Sequence, residues 1–485
     1  MKPVKAIFLI FTGLVLLTAF HAVGATVFTN LVYFDTTNGN WFLVGTPFES
    51  DANLVQANDG NFYGVTWGGG IDSSNPFGGD GTIFRLTPSG VYTLLVEFNI
   101  TNGSKPFGGL IQGMDGSLYG TTADGTNYGG TVYRVTTNGA VTVLWTFNGT
   151  NGMAPQAGLV QDKSGALYGT TYYGGSGYVG RPGYPFLFAG GDGTVFKIDT
   201  NGNFSSLVSF NGTNGDHPQA ALTLGCDGNF YGTTSVGGAT FINEETNGYG
   251  TIFKMTPTGA LTTLFSFNGN NGGYPESALL QADDGNLYGT TYSGGINDAG
   301  TVFKITTNGD FASLVSFDGG NDALGQAALV QGSDGNFYGT TSTGSSDGSI
   351  FQMTPAGFLT NIKTFNALNG SYPARLTLGT DGDFYGITQD NGSPGFGINV
   401  GASGTIFRLS FPQQPIIHPS VETNGTIFLQ WNSVSGQKYQ LQYSTNLTSA
   451  AWHNLGGTNT ATNGVMSAFD AETNLQRFYR LFILP

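Results

Sequence analysis

The octapeptide Asp227-Gly228-Asn229-Phe230-Tyr231-Gly232-Thr233-Thr234 returns seven times along the chain with small changes. Its tyrosines are Tyr63, Tyr119, Tyr168, Tyr231, Tyr288, Tyr338 and Tyr385, spaced 56, 49, 63, 57, 50 and 47 residues apart. A period in that range belongs to propellers and solenoids. Within the octapeptide, Asp-Gly reads as a tight hairpin turn, where glycine supplies a positive φ, and Phe-Tyr-Gly-Thr-Thr reads as the strand that follows.

Working outward, each copy divides into four short runs. A small-x-Leu-apolar run (Ala328-Leu329-Val330-Gln331) precedes the turn; after the Tyr strand come G-T-V/I-F-K (Gly250 to Lys254) and L-x-x-F (Leu207 to Phe210). A second tight turn, T-N-G or T-P-x-G, joins the last two (Thr307-Asn308-Gly309, Thr256 to Gly259). Four antiparallel strands per repeat is the composition of a propeller blade. A β-solenoid is the alternative, and the 63-residue repeat speaks against it. The small residues Ala52, Gly109, Ala157, Ala220, Ala278, Ala327 and Ala374 place the first run innermost, where strands crowd an axis. The Phe and Tyr rings of the middle strands then fill the space between neighbouring blades.

The bookends complete the count. Leu31-Val32-Tyr33-Phe34 is an L-x-x-F strand with no preceding blade, and the last copy ends at Gly404-Thr405-Ile406-Phe407-Arg408 without one. The predicted fold is therefore all-β: a seven-bladed β-propeller over residues 26–411, closed by the N-terminal strand. A second repeated position, Arg85, Arg134, Lys197, Lys254, Lys304, Gln352 and Arg408, is expected to pair with the turn acids Asp59, Asp115, Asp227, Asp284, Asp334 and Asp381. Sheets three (Ser164 with Lys197) and six (Asp334 with Gln352) would be the exceptions.

These phrases, L-x-Q-x-x-D-G-N-x-Y-G-T-T, G-T-V-F-K and L-V-S-F, resemble the tandem Gloeo/Verruco repeat of secreted bacterial proteins with varied C-terminal anchors. The resemblance covers about Thr26 to Phe411 and implies an extracellular, propeller-like protein of unassigned function. The D-G-x-x-Y-G-T run is more loosely similar to the sensor propellers of two-component regulators. Beyond Pro412-Gln413-Gln414-Pro415 the repeat stops. Runs such as Thr426 to Trp431 and Tyr439 to Tyr443 alternate with period two, as in a small fibronectin III-like β-sandwich over residues 412–485 with Trp431 in its core.

Residues 1–25 carry Lys2 and Lys5, an apolar run from Ala6 to Phe20 and Val23-Gly24-Ala25, the pattern of a cleaved signal peptide. No later run has that length, and no cysteine near the cleavage site could carry a lipid, so a secreted or cell-surface location without a transmembrane segment is expected. After cleavage, 14 basic face 31 acidic residues, a formal charge of −17, which disfavours nucleic acid and anionic lipid as partners. The one cysteine, Cys226, makes no internal disulfide and reads as a surface thiol.

Catalytic signatures do not survive inspection. Gly344-x-Ser346-x-Gly348 and Gly175-x-Gly177-x-x-Gly180 match a nucleophile elbow and a dinucleotide fingerprint, but both sit in glycine-rich loops without a strand-to-helix context. His217, His418 and His453 offer no transition-metal spacing. No cofactor is expected; calcium stays open because Asp318, Asn321 and Asp322 crowd one loop.

Because both tight turns of each repeat lie at one end of the blade, the variable connections gather at the other, and function is expected there. That end collects Trp41, Phe48, Trp67, Tyr172, Tyr173, Tyr178, Arg181, Tyr184, Phe186, His217, Glu244, Glu245, Tyr249, Tyr274 and Tyr292. The candidate ligand-binding residues are Trp67, Tyr172, Tyr178, Arg181, Tyr184, Tyr274 and Tyr292, with Trp67, Tyr172 and Tyr292 at one equivalent position as an exposed stacking platform. Aromatic area with a polar rim suits an extracellular glycan or protein. A non-catalytic binding or structural module is the first reading. The alternative is a carbohydrate-active enzyme with a carboxylate pair on the loop face, its members drawn from residues such as Glu244, Glu245 and Asp216.

Overall fold

The computed structural model describes residues 26–34, 53–69, 79–126, 128–178, 190–242, 247–319, 327–342, 347–366, 369–390, 404–411, 417–421, 427–433, 438–445, 452–462, 465–471 and 478–484. The signal-peptide reading, Trp41, Phe48, Arg181, Tyr184, Phe186, Glu244, Glu245, Asn321, Asp322 and Ser346 lie outside them. Among the described residues there is strand and turn but no helix, and so no helix long and apolar enough to cross a membrane.

Residues Phe28–Leu409 form one compact unit and residues from Ser410 onward belong to another. The first unit is a propeller-like succession of antiparallel sheets. The fourth sheet shows the plan: Thr223–Leu224, Phe230–Thr234, Thr251–Met255 and Leu261–Ser266, hydrogen-bonded in that order. The octapeptide supplies its second strand, buried at every position. Five more sheets repeat the order. The seventh contains Thr377–Leu378, Phe384–Asp390 and Thr405–Ser410, and its outer strand is Val27–Tyr33, paired with Thr405–Ser410 across almost the whole unit. Phe34 N–H continues that pairing to Gly404 O at 3.0 Å.

Packing between sheets explains the aromatic strand. Tyr168 and Phe210 of the third sheet share a core with Leu222, Phe230 and Phe253 of the fourth. The same arrangement joins seventh to first: Val32, Phe34, Tyr385 and Ile406 pack with Leu54, Phe62 and Phe84, and the Tyr385 and Phe62 rings lie 4.1 Å apart. The Gly inside Tyr-Gly-Thr makes room for the Phe of G-T-x-F. A Cβ on Gly232 would fall 2.5 Å from Phe253 Cζ. A register shift between Ile252 and Phe253 carries the third strand past the fourth at that point.

Polar staples run between sheets as well. The strand Thr of one sheet donates to the inner segment of the next, as in Thr121 Oγ1 to Ala157 O at 2.9 Å and Thr340 Oγ1 to Ala374 O at 3.2 Å. The Gln after the inner Leu reaches back to the preceding turn: Asn58 N–H donates to Gln112 Oε1 at 2.8 Å and Cys226 N–H to Gln281 Oε1 at 2.7 Å. Thr380 N–H donates likewise to Gln56 Oε1 at 2.7 Å, linking the last sheet to the first. Cys226 is exposed at this turn position.

The repeated charges behave differently from the expected pairing. The turn Asp is latched chiefly by the strand tyrosine, with Tyr63 OH donating to Asp59 Oδ2 at 2.7 Å and Tyr231 OH to Asp227 Oδ2 at 2.9 Å. Lys254 joins Asp227 at 2.9 Å, and Arg408 Nε lies 3.7 Å from Asp383. Lys197 instead sits over the Tyr168 ring at 5.2 Å. The third sheet is not the acid-free exception expected, because Asp162, two residues earlier than the usual position, accepts from Tyr168 OH at 3.2 Å. Cross-strand register is the cause: the base stands directly opposite the tyrosine, as Lys254 opposite Tyr231, so the phenol reaches the carboxylate first.

In the second unit, two antiparallel sheets share one core. One holds Ile417–Val421, Ile427–Asn432 and Val465–Asp470; the other is built on Lys438–Ser444 paired with Phe478–Leu484. Trp431 is 1% exposed among Leu429, Tyr439, Leu441 and Tyr479, as its alternating run predicts.

Candidate functional site

The loop end of the repeat unit is built on a segment to which the sequence reading assigned no weight. After each L-x-x-F strand runs N-G-x-N-G-x-x-Pro, with variations: Asn148 to Pro155, Asn211 to Pro218 and Asn268 to Pro275. The first Asn caps the turn, accepting Asn214 N–H on Asn211 Oδ1 at 3.1 Å, for example. The residue before the proline then adopts a left-handed backbone: Lys105 (φ 58°), Ala154 (52°), His217 (55°), Tyr274 (55°) and Tyr372 (53°). Such a conformation is uncommon for any residue with a Cβ and the following proline adds restriction, so neighbours must hold it in place.

They do so through its own peptide groups. His217 N–H donates to Asp192 O of the preceding sheet at 3.0 Å, and His217 O accepts Ser235 N–H of its own sheet at 3.1 Å. Tyr274 does the same between Tyr249 O and Tyr292 N–H, both at 3.0 Å, and Lys105 between Asp80 O at 2.8 Å and Ala123 N–H at 2.9 Å. The proline ring packs where the Gly of G-T-x-F lacks a side chain; a Cβ on Gly250 would fall 2.6 Å from Pro275 Cδ. One rigid backbone position therefore bridges each of these seams, and its side chain differs at almost every one.

The side chains that result form separate seam clusters. At the seam of sheets one and two, Lys105 Nζ lies 5.4 Å above the half-buried Trp67 ring and 3.3 Å from Asp124 Oδ2, with Phe107 edge-on to Trp67 at 6.1 Å. At the third and fourth, Tyr172, Tyr173 and His217 enclose one another, with Tyr172 4.4 Å from His217 and 4.5 Å from Tyr173. His217 Nδ1 also lies 2.8 Å from Asp216 Oδ1, close enough to attract but outside hydrogen-bond geometry. Burial, then the neighbouring Tyr173, Glu276 and Asp216, pushes the Tyr172 phenol far above its usual range. At the next seam Tyr249 and Tyr274 meet edge-on at 6.0 Å, and burial raises the Tyr274 phenol.

The expected platform is accordingly corrected. Tyr172 is only 8% exposed, and Trp67 and Tyr292 are half-buried. Their equivalence along the sequence places them on sheets one, three and five, so an intervening sheet separates each ring from the next. Tyr178 is half-buried against Gly149, and Tyr274 is half-buried at its seam. Among the described residues no group of three or more His, Cys, Asp or Glu could hold a metal ion.

Comparison with known proteins places the repeat. The profile described as the Gloeobacter/Verrucomicrobia repeat matches residues 18–182, 186–400 and 241–468. No curated protein matches. Solved structures with some likeness include the PQQ-bound aldose sugar dehydrogenase of Streptomyces coelicolor (13% identity, 64% of this chain and 97% of that one, TM-score 0.40). Puromycin hydrolase (12%, 82% and 62%, 0.46) and an ulvan lyase bound to a glucuronyl-sulfated-rhamnose saccharide (12%, 73% and 89%, 0.45) are others. These likenesses are too distant to bear on activity.

Proposed function

The chain belongs to the Gloeobacter/Verrucomicrobia repeat family, and from that premise we propose that its seven sheets are the blades of one closed propeller acting outside the cytoplasm as a non-catalytic binding module. The N-terminal strand completes the last blade, the leader of residues 1–25 directs export, and the second unit is a fibronectin-like sandwich. The ligand is an extracellular glycan or protein, engaged by the loop end.

One observation carries this reading. A left-handed backbone position, held at five seams by its own peptide groups, displays Lys105, Ala154, His217, Tyr274 and Tyr372 while the strands beneath it barely change. A constant frame that varies its side chains at one end supplies recognition by difference and rigidity by repetition.

The test is a glycan and extracellular-protein array with purified residues 26–485. For the ligand found, His217→Asn, Tyr274→Asn and Tyr372→Asn each keep a residue that tolerates the left-handed region. At least one should weaken binding by about 1–3 kcal/mol without shifting the melting temperature. Unchanged binding in all three, or turnover of a glycan, would overturn the reading.

A further inference from the structure

The inner segments of the sheets line a half-open cavity of about 440 Å³, within the range of small-molecule sites. One equivalent lining position is Gly109, Gly158, Ala221 and Ala278 in sheets two to five, but Asn53 in sheet one and Arg375 in sheet seven. The small residues expected of these inner runs include Ala52 and Ala374, so in sheets one and seven the larger side chain directly follows the small one. Packing gives the reason: four positions with little or no side chain leave the space that a guanidinium can enter.

The wall is thereby asymmetric. Of the other polar lining groups, Gln281 is engaged with Cys226 N–H and Gly285 O, and Thr223 Oγ1 donates to Leu279 O. Asn53 and Arg375 are contributed by the two sheets that Thr380 and Gln56 link, opposite a wall of Gly, Ala and Leu.

We propose that this cavity binds a small organic carboxylate about the size of a uronic acid, its carboxylate forked by Arg375 and a hydroxyl taken by Asn53. Arg375 is half-buried and has a partner within the protein, and a guanidinium carries five N–H donors in a planar fork, the geometry that matches a carboxylate. A low-dielectric wall strengthens the attraction. A carboxylate fits better than a phosphate because a chain of formal charge −17 after loss of its leader opposes a dianion more than a monoanion. The site stands independently of the loop-end reading.

The experiment is calorimetric titration of residues 26–485 with glucuronate, glucose and inorganic phosphate. Glucuronate should bind, with glucose and phosphate each weaker by about tenfold or more. Arg375→Ala should weaken glucuronate by a similar factor, and Arg375→Lys, which keeps the charge and loses the fork, should fall between. Ala221→Leu fills the cavity from the opposite wall and should weaken binding with Arg375 intact, which decides the matter if Arg375→Ala does not fold. Wild-type affinity in both Arg375→Ala and Ala221→Leu, phosphate binding tighter than glucuronate, or no glucuronate binding at millimolar concentration would each overturn the proposal.

Discussion

Replacing Gly232 by alanine tests whether the repeated Tyr-Gly-Thr is a packing requirement. The new Cβ would lie 2.5 Å from Phe253 Cζ, 2.9 Å from Leu222 Cδ2 and 3.0 Å from Phe253 Cε1. Phe253 is fully buried and Leu222 is 4% exposed, with the Phe210 ring 5.4 Å from that of Phe253, so neither side chain can swing away cheaply. Overpacking of this kind costs about 1–3 kcal/mol. The reduced entropy of the unfolded chain returns about 0.4–1 kcal/mol, because the strand backbone here is ordinary for alanine. The net expectation is a loss of about 1–2 kcal/mol.

In a unit of roughly 380 residues, whose unfolding entropy is about 0.8 kcal/mol/K, that is a fall of about 1–3 °C, which differential scanning calorimetry resolves. Phe253→Leu alone should also destabilise, by about 1–2 kcal/mol, by opening a cavity. Together the two should cost less than their sum by about 1 kcal/mol, since the shorter side chain vacates the space the Cβ enters. Gly228→Ala is the control: Gly228 has φ +80° and nothing within 4 Å of a Cβ, so its penalty is conformational and Phe253→Leu should not relieve it. A neutral or stabilising Gly232→Ala, or additivity in the cycle, would refute the reasoning.

Deleting Thr26 to Phe34 should abolish cooperative unfolding, while deleting residues from Pro412 should leave the melting temperature of the repeat unit nearly unchanged, because Val32 and Phe34 are core residues of the last seam and the tail is a separate unit. Acid should destabilise the protein. Burial opposes ionisation of Asp227, but hydrogen bonds from Lys254, Asn229 and Tyr231 outweigh it and hold the carboxyl well below 3.8. A depressed folded value gives stability that is complete above the unfolded value and lost as pH falls below about 4. Asp227→Asn should flatten that limb in a pH series of denaturation midpoints. At the other extreme, burial and then Asp59 and Asp115 raise Tyr63 and Tyr119 from 10.0 to about 12, so their contribution is complete below pH 10 and is lost as pH rises toward 12; Tyr63→Phe should shallow the alkaline loss. At the strained position, Tyr372→Val should be less stable than Tyr372→Asn by about 1–2 kcal/mol in urea titration, because φ is 53° and a β-branched residue resists it.

The sequence by itself determined the all-β class, the four-strand plan, the seven copies and the pairing of Leu31 to Phe34 with the last copy. Each follows from local rules: period-two alternation, Asp-Gly and Thr-x-Gly turns, and a missing strand at each end. It also marked Trp431 as the core of the tail, because one apolar residue in an alternating run can face only one way. What side chains do across a seam was not legible, since the partners lie some 50 residues apart and periodicity aligns equivalent positions without saying which unlike positions meet. Only the tertiary structure showed that Tyr172 is enclosed by His217, that the strand tyrosine is the latch on the turn acid repeated from sheet to sheet, joined at Asp227 by Lys254, and that Asp162 stands in for the acid absent at Ser164. The left-handed residue before proline recurs at five places in the chain, yet its meaning required two neighbouring sheets. A backbone conformation that is unfavourable locally persists only where tertiary hydrogen bonds on both sides hold it.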